Sequence, residues 1–262
     1  MLSPIERLER GQWIPPWIRY QHEARYAWAQ QFCAGGRVLD CASASAYGAV
    51  VLLAAGAGQV VAVDIAVEAF AAEGDSYKRP RLGMTTADAT QLPFADGTFD
   101  AFISFETIEH VDDDGAYVRE ARRVVKRGGV FVCSTPNRRM TNPGTTIAEH
   151  PFNPFHVREY TAGELATAVA QHFESVEWFG QTFFAPAYAR VINAIGGKVR
   201  SAAVRLHQMR KVAGAAFDRR RRHQPTPLAG PGESRGESRG EGGGESHDES
   251  AGEPEVLIVV CR

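Results

Sequence analysis

RVLDCASASAYGAVVLLAAGAGQVVAVD, residues 37–64, holds two short valine-rich runs, each carrying an aspartate at or near its end. Arg37–Cys41 and Gln59–Asp64 are too short for helices and read as strands. Between them, Ala46 to Ala55 is small and apolar, suited to a helix packed closely on a sheet. A strand–helix–strand succession joins parallel neighbours through a right-handed crossover. In such sheets ligands bind beyond the carboxyl ends of the strands, so chemistry is expected just after each run.

Working outward, the same alternation continues. Strands are predicted at Leu82–Thr86, Phe99–Phe105, Gly129–Ser134, Ser175–Phe179 and Glu255–Val260. Helices are predicted at Val67–Tyr77, Tyr117–Val125 and from Thr161, where Glu164 stands three residues on as in a capping box. The sum is an α/β fold, a mostly parallel seven-stranded sheet with helices on both faces. Upstream, the Pro15-Pro16 pair starts a helix that runs to about Phe32, and Gly35-Gly36 ends it. Residues 1–35 therefore read as a helical cap. The core is 36–183 together with 254–262. Before the last strand comes an insertion. Residues 184–227 read as basic and helical, and 228–253 as an acidic Gly/Ser-rich linker with too few apolar residues to pack, hence disordered.

The chain has 262 residues, 44% hydrophobic and 23% charged, with a formal net charge of −2. That balance exerts no global pull toward nucleic acid or membrane, so nucleic acid is not an expected partner. The local exception is 187–223, where ten cations face Asp218, a local charge of about +9. It suits a solvated helix face, a lid or rim attracting an anionic or lipid-linked acceptor, or a surface for RNA or an anionic membrane. Cys33, Cys41, Cys133 and Cys261 form no CxxC pair and read as reduced, buried thiols. There is no signal-peptide pattern and no apolar run of the ~18 residues a membrane span needs, so the expected address is cytoplasmic.

Three features carry chemistry. The loop after Asp40, Cys41-Ala-Ser-Ala-Ser-Ala-Tyr-Gly48, is small enough to let backbone approach a ligand. Asp64, at the end of the second strand, suits a ribose diol, and Asp88 follows the third strand. After the fourth strand, Glu106, Glu109 and His110 stand at i, i+3 and i+4 and would share one face of a helical turn. Such a group is a divalent-metal site or an acid/base cluster. His156 stands before the Thr161 helix.

The order of these elements, and ADATQLPFADGTFDAFISFETIEHV (87–111) in particular, resembles the class I S-adenosylmethionine-dependent methyltransferases. The likeness covers roughly 36–180 and implies a Rossmann-like fold with S-adenosylmethionine (SAM) as cofactor. The cofactor contacts it implies are Asp40, Ala42, Ser43, Ala44, Asp64, Ile65, Asp88, Ala89 and Phe105. The chain departs from the family at Ala44-Ser45-Ala46, where Gly-x-Gly is usual. Glu-x-x-Glu-His with a later His is similar to the metal-dependent methyltransferases of small RNA and quinones. That likeness implies Glu106, Glu109, His110 and His156 as ligands of Mg²⁺, with His110 or His156 as catalytic base. STPNR and NPFHVREYT look still more like bacterial saccharide O-methyltransferases. The expected activity is methyl transfer to a hydroxyl of a sugar or glycoconjugate. The alternatives are an RNA-ribose or quinone acceptor, or a non-catalytic binding module on a degenerate fold.

Overall fold

The computed structural model describes residues 16–66, 79–182, 225–228, 230 and 254–262. Helix α1 (Pro16–Ala29) leads to strand β1 (Arg37–Cys41), helix α2 (Tyr47–Ala54) and strands β2 (Gln59–Asp64), β3 (Leu82–Thr86) and β4 (Phe99–Phe105). Helix α3 (Asp114–Val124), strand β5 (Val125–Pro136), the single helical turn α4 (Arg138–Thr141) and helix α5 (Ala162–Ala170) follow. Strands β6 (Val176–Gln181), β7 (Thr226–Leu228) and β8 (Val256–Cys261) complete the set. The helix predicted at Val67–Tyr77 and the helical pattern of 187–212 lie outside the described residues.

The strands form one sheet in the order β3-β2-β1-β4-β5-β8-β6-β7. β1 pairs in parallel with β2 and β4, β2 with β3, and β4 with β5. β8 runs antiparallel between β5 and β6. The eighth strand corrects the expected seven: Thr226–Leu228 pairs antiparallel with Trp178–Gly180, across the boundary between the expected basic helical insertion and the expected disordered linker. Its proline is tolerated because the strand is at the sheet edge. Two element starts also move by three residues or more. α3 starts at Asp114, because the Asp113 carboxylate caps it by accepting from the Ala116 amide at 2.7 Å. β5 starts at Val125, entered from α3 without a loop. The capping box at Thr161 and Glu164 is present.

Successive residues of the central strands bury on opposite faces, so these strands read as continuous apolar runs. Leu39, Val61, Phe102 and Phe131 pack on one side with Tyr117 and Val118 of α3 and Leu165 of α5. Val38, Val60, Ile103 and Val132 pack on the other with Tyr26 of α1 and Leu52 of α2. Each large side chain so removed from water contributes about 1.5–3 kcal/mol. α1 docks closely on α2 because Gly48 has no side chain: a Cβ there would lie 2.0 Å from the Tyr26 ring. The four cysteines are free thiols, all buried. Among the described residues, no helix is long and apolar enough to cross a membrane.

The chain winds outward from β1 to β2 and β3, then returns to place β4 on the other side of β1. That reversal is the topological switch point, where such sheets leave a crevice at the carboxyl ends of their strands.

Candidate active site

A cavity of about 670 Å³ lies at that crevice. Ala42, Ser43 and Ala44 line it after β1, Asp64 and Ile65 after β2, Asp88 and Ala89 after β3, and Phe105 and Glu106 at the end of β4. The sequence therefore brings eight of its nine expected cofactor contacts to one wall. Asp40 is the exception. Its side chain points under the loop toward α1, where Oδ1 accepts from the Tyr26 hydroxyl at 2.8 Å and Oδ2 is buried without a partner. Burial raises the Asp40 carboxyl to about 7, against the lowering effect of the Tyr26 bond. Asp40 thus ties the end of β1 to α1.

The alanines of that loop take the backbone conformation glycine adopts freely. Ala42, Ala44 and Ala46 have φ of 57°, 45° and 58°. Left-handed backbone costs an L-residue about 1–2 kcal/mol, so the loop is strained three times over. Bonds to β2 hold it there. Ser43 donates its amide to Val63 O at 2.9 Å, and Ala44 donates its amide to Asp64 Oδ2 at 2.8 Å. Asp64 Oδ1 accepts from the Ala66 amide at 2.9 Å. A carboxylate accepts through about four lone pairs, so fixing the loop and binding a ribose diol are compatible tasks. Asp88 is exposed, and its Oδ1 accepts from both the amide and the hydroxyl of Thr90 at 2.8 Å.

The opposite wall was not read from the sequence. His22, Tyr26, Tyr47 and Phe155 also line the cavity. Tyr26 packs edge-on to Tyr47 and Phe105, with ring centroids 5.3 Å and 5.1 Å away. Burial and the nearby Arg25 guanidinium push His22 well below the ordinary histidine range, so its imidazole is neutral. The sequence shows a helical cap over 1–35, but not which of its side chains line the cavity.

Glu106, Glu109 and His110 do not share a helical face. Glu106 has φ 53° and its amide still bonds Ser134 O at 3.0 Å, so it ends the β4 ladder. Only Ile108–His110 forms a turn, a 3-10 one. Among the described residues, the atoms that come together belong to Glu109, His110 and His156, all within 4.8 Å of one another. Glu106 lies outside this cluster, which corrects its expected place in a four-residue ligand set.

Each histidine of the cluster has its tautomer set by its neighbour. His110 Nδ1 lies 2.9 Å from Phe155 O, and a carbonyl only accepts, so Nδ1 carries the hydrogen and Nε2 is the basic nitrogen. His156 Nδ1 lies 2.7 Å from the Glu159 carboxylate, and Asn153 Nδ2 donates to its Nε2 at 2.8 Å. Glu159 is itself buried and accepts from Thr141 and Asn142. Glu109 is buried, accepts from Thr135 Oγ1 at 2.9 Å, and has an unpartnered Oε1. Burial first, then the neighbouring Glu106, raises its carboxyl well above the usual range. Of the three, only His110 lines the cavity.

Two imidazoles and one carboxylate do not suit Mg²⁺, which takes oxygen ligands. The Asn153 bond also occupies the His156 lone pair. The residues present therefore do not fit the magnesium site implied by the sequence.

A methyltransferase-domain family matches residues 39–133. The chain is 35% identical over 202 residues to a "Probable S-adenosylmethionine-dependent methyltransferase" of Mycobacterium tuberculosis (strain ATCC 25618 / H37Rv), covering 77% of this chain and 69% of that one. It is 39% identical over 115 residues to a demethylmenaquinone methyltransferase of Mycolicibacterium vanbaalenii, covering 43% of this chain and 48% of that one. The crystal structure of a SAM-dependent methyltransferase from Thermotoga maritima superimposes with TM-score 0.56, at 15% identity, over 94% of this chain and 92% of that one.

Proposed function

The chain belongs to the S-adenosylmethionine-dependent methyltransferases, and from that premise we propose that it methylates a hydroxyl of a sugar or glycoconjugate, with His110 as base. The cavity volume falls in the usual range for small-molecule and cofactor sites. In this reading the strained loop and Asp64 hold the nucleoside of SAM, which supplies an electrophilic methyl group when bound. Asp88, Ala89 and Ile65 form the adjoining wall.

One observation carries the reading: His110 alone of its cluster lines the cavity, in the tautomer that leaves Nε2 basic. A sugar hydroxyl is a poor nucleophile at neutral pH, and a positioned imidazole that accepts its proton removes that obstacle. Phe155 O orients the ring through Nδ1. His156, held between Glu159 and Asn153 behind His110, packs edge-on at 4.8 Å between ring centroids and keeps that ring in place. Alignment of hydroxyl and methyl carbon supplies much of the remaining acceleration.

The test is transfer of radiolabelled methyl from SAM to a panel of methyl glycosides, with the product position assigned by NMR. His110→Ala should abolish turnover and leave S-adenosylhomocysteine (SAH) binding intact. A His110→Ala enzyme at full rate overturns the assignment. A second reading, methylation of a quinone precursor, is favoured by the likeness to the demethylmenaquinone methyltransferase. Demethylmenaquinone in the same panel separates the two.

A further inference from the structure

Glu106 lines the cavity in left-handed backbone, a conformation glutamate rarely holds without compensation. Ser134 of β5 fixes it from both ends. Its carbonyl and its Oγ accept from the Glu106 amide at 3.0 Å and 3.2 Å, and its Oγ donates to Glu106 Oε1 at 2.8 Å. From α1, Arg25 brings Nη2 to 3.9 Å from the same oxygen. Arg25 is 1% exposed, and its Nη1 donates to Gln181 Oε1 at 2.8 Å. A buried cation and a buried hydroxyl thus aim one carboxylate.

A carboxylate needed only to neutralise Arg25 has no reason to sit in strained backbone on a cavity wall. Its side chain is 22% exposed, and among the described residues Oε1 takes the bond from Ser134 and faces the Arg25 guanidinium. Oε2 is the oxygen left for a ligand. Glu106 is also four residues from His110, on the same cavity. We infer that Glu106 binds and orients the acceptor, its Oε2 accepting a hydrogen bond from a donor group beside the hydroxyl that His110 deprotonates. The acceptor this selects carries two neighbouring donors, a diol rather than an isolated alcohol. This rests on the proposed methylation of a hydroxyl acceptor. Arg25 is the positioning residue, acting through Glu106.

The experiment measures steady-state kinetics of the full chain with methyl glycosides and with their deoxy analogues lacking one neighbouring hydroxyl, alongside calorimetric SAH titration. Glu106→Gln should raise KM for the hydroxylated glycoside about 10- to 100-fold, the worth of one hydrogen bond to a charged group. It should leave SAH affinity unchanged and have no added effect on the deoxy analogue. Arg25→Met should show the same KM signature, which Arg25→Lys should partly rescue. An unchanged KM in Glu106→Gln, or an equal loss of SAH binding, overturns the inference. If the wild type methylates demethylmenaquinone but no glycoside, the sugar reading fails. The inference falls with it, because a quinone ring is methylated on carbon and presents no hydroxyl beside a second donor. If no hydroxyl acceptor is methylated, both readings fall.

Discussion

Replacing Ala44 by glycine should make the protein more stable, against the usual effect of adding a glycine. At φ 45° an alanine costs about 1–2 kcal/mol in the native state. The added freedom of glycine in the unfolded chain takes back about 0.5–1 kcal/mol. The net gain is roughly 0.5–1 kcal/mol, a rise in Tm of about 1–4 °C for a chain of this size. Ala46 is a comparison built into the same loop. It also has positive φ, but its methyl group is fully buried. Losing that burial costs about 0.8 kcal/mol, so Ala46→Gly should come out near neutral. Ala49, buried inside α2, supplies the opposite sign: glycine there should cost about 2 kcal/mol, from helix propensity and the lost methyl burial together. Urea melts of the three variants without ligand are the assay. If Ala44→Gly falls with Ala49→Gly, the loop is not strained and the reasoning is wrong.

Asp40→Asn keeps an acceptor for Tyr26 and removes the titration. Because the folded carboxyl stands near 7, above its ordinary 3.8, the wild type binds the extra proton when folded and loses stability as pH rises between those values. Urea midpoints at pH 5 and pH 8 should therefore show Asp40→Asn gaining on the wild type at the higher pH; a constant gap refutes this. Gly48→Ala should cost about 1–3 kcal/mol by driving a Cβ into the Tyr26 ring, and the loss should shrink in a Tyr26→Ala background. Strictly additive melting shifts would speak against that contact. Asp64→Ala should weaken SAH binding about 10- to 100-fold by calorimetry, since it removes both the proposed diol acceptor and the anchor of the Ala44 amide. Unchanged affinity would remove Asp64 from the cofactor site.

Much of the sheet was legible because both its faces are buried. β1, β2 and β4 are largely apolar, buried runs, whereas β3 at the sheet edge is only half-buried; the ends of all four match the residues read as strands. β7 was not legible: Thr226-Pro-Leu is three residues long and joins the edge by backbone bonds, which leave no side-chain pattern. The cavity wall was legible through position, since small residues and acids follow the strands. The position of Glu106 was not. A spacing of i, i+3, i+4 reads as helix, and nothing about a glutamate announces positive φ; Ser134, 28 residues away, decides it. The contribution of α1 was hidden for a related reason. The segment reads only as a helical cap, whereas docking against Gly48 places Tyr26, and with it His22, on the cavity's far wall.

The place of β8 in the sheet has a consequence for biosynthesis. Residues 37–136 can pair among themselves, but the strand that seals β5 to β6 is 256–261, about 120 residues later in the chain. At typical elongation rates of ~5–20 residues per second, β5 waits roughly 6–24 s on the ribosome with an open, apolar edge. Such an edge is a template for pairing with other chains. The nascent protein is thus most vulnerable in that interval. Its yield should depend more on how quickly residues 137–261 are translated than on the stability of the finished fold.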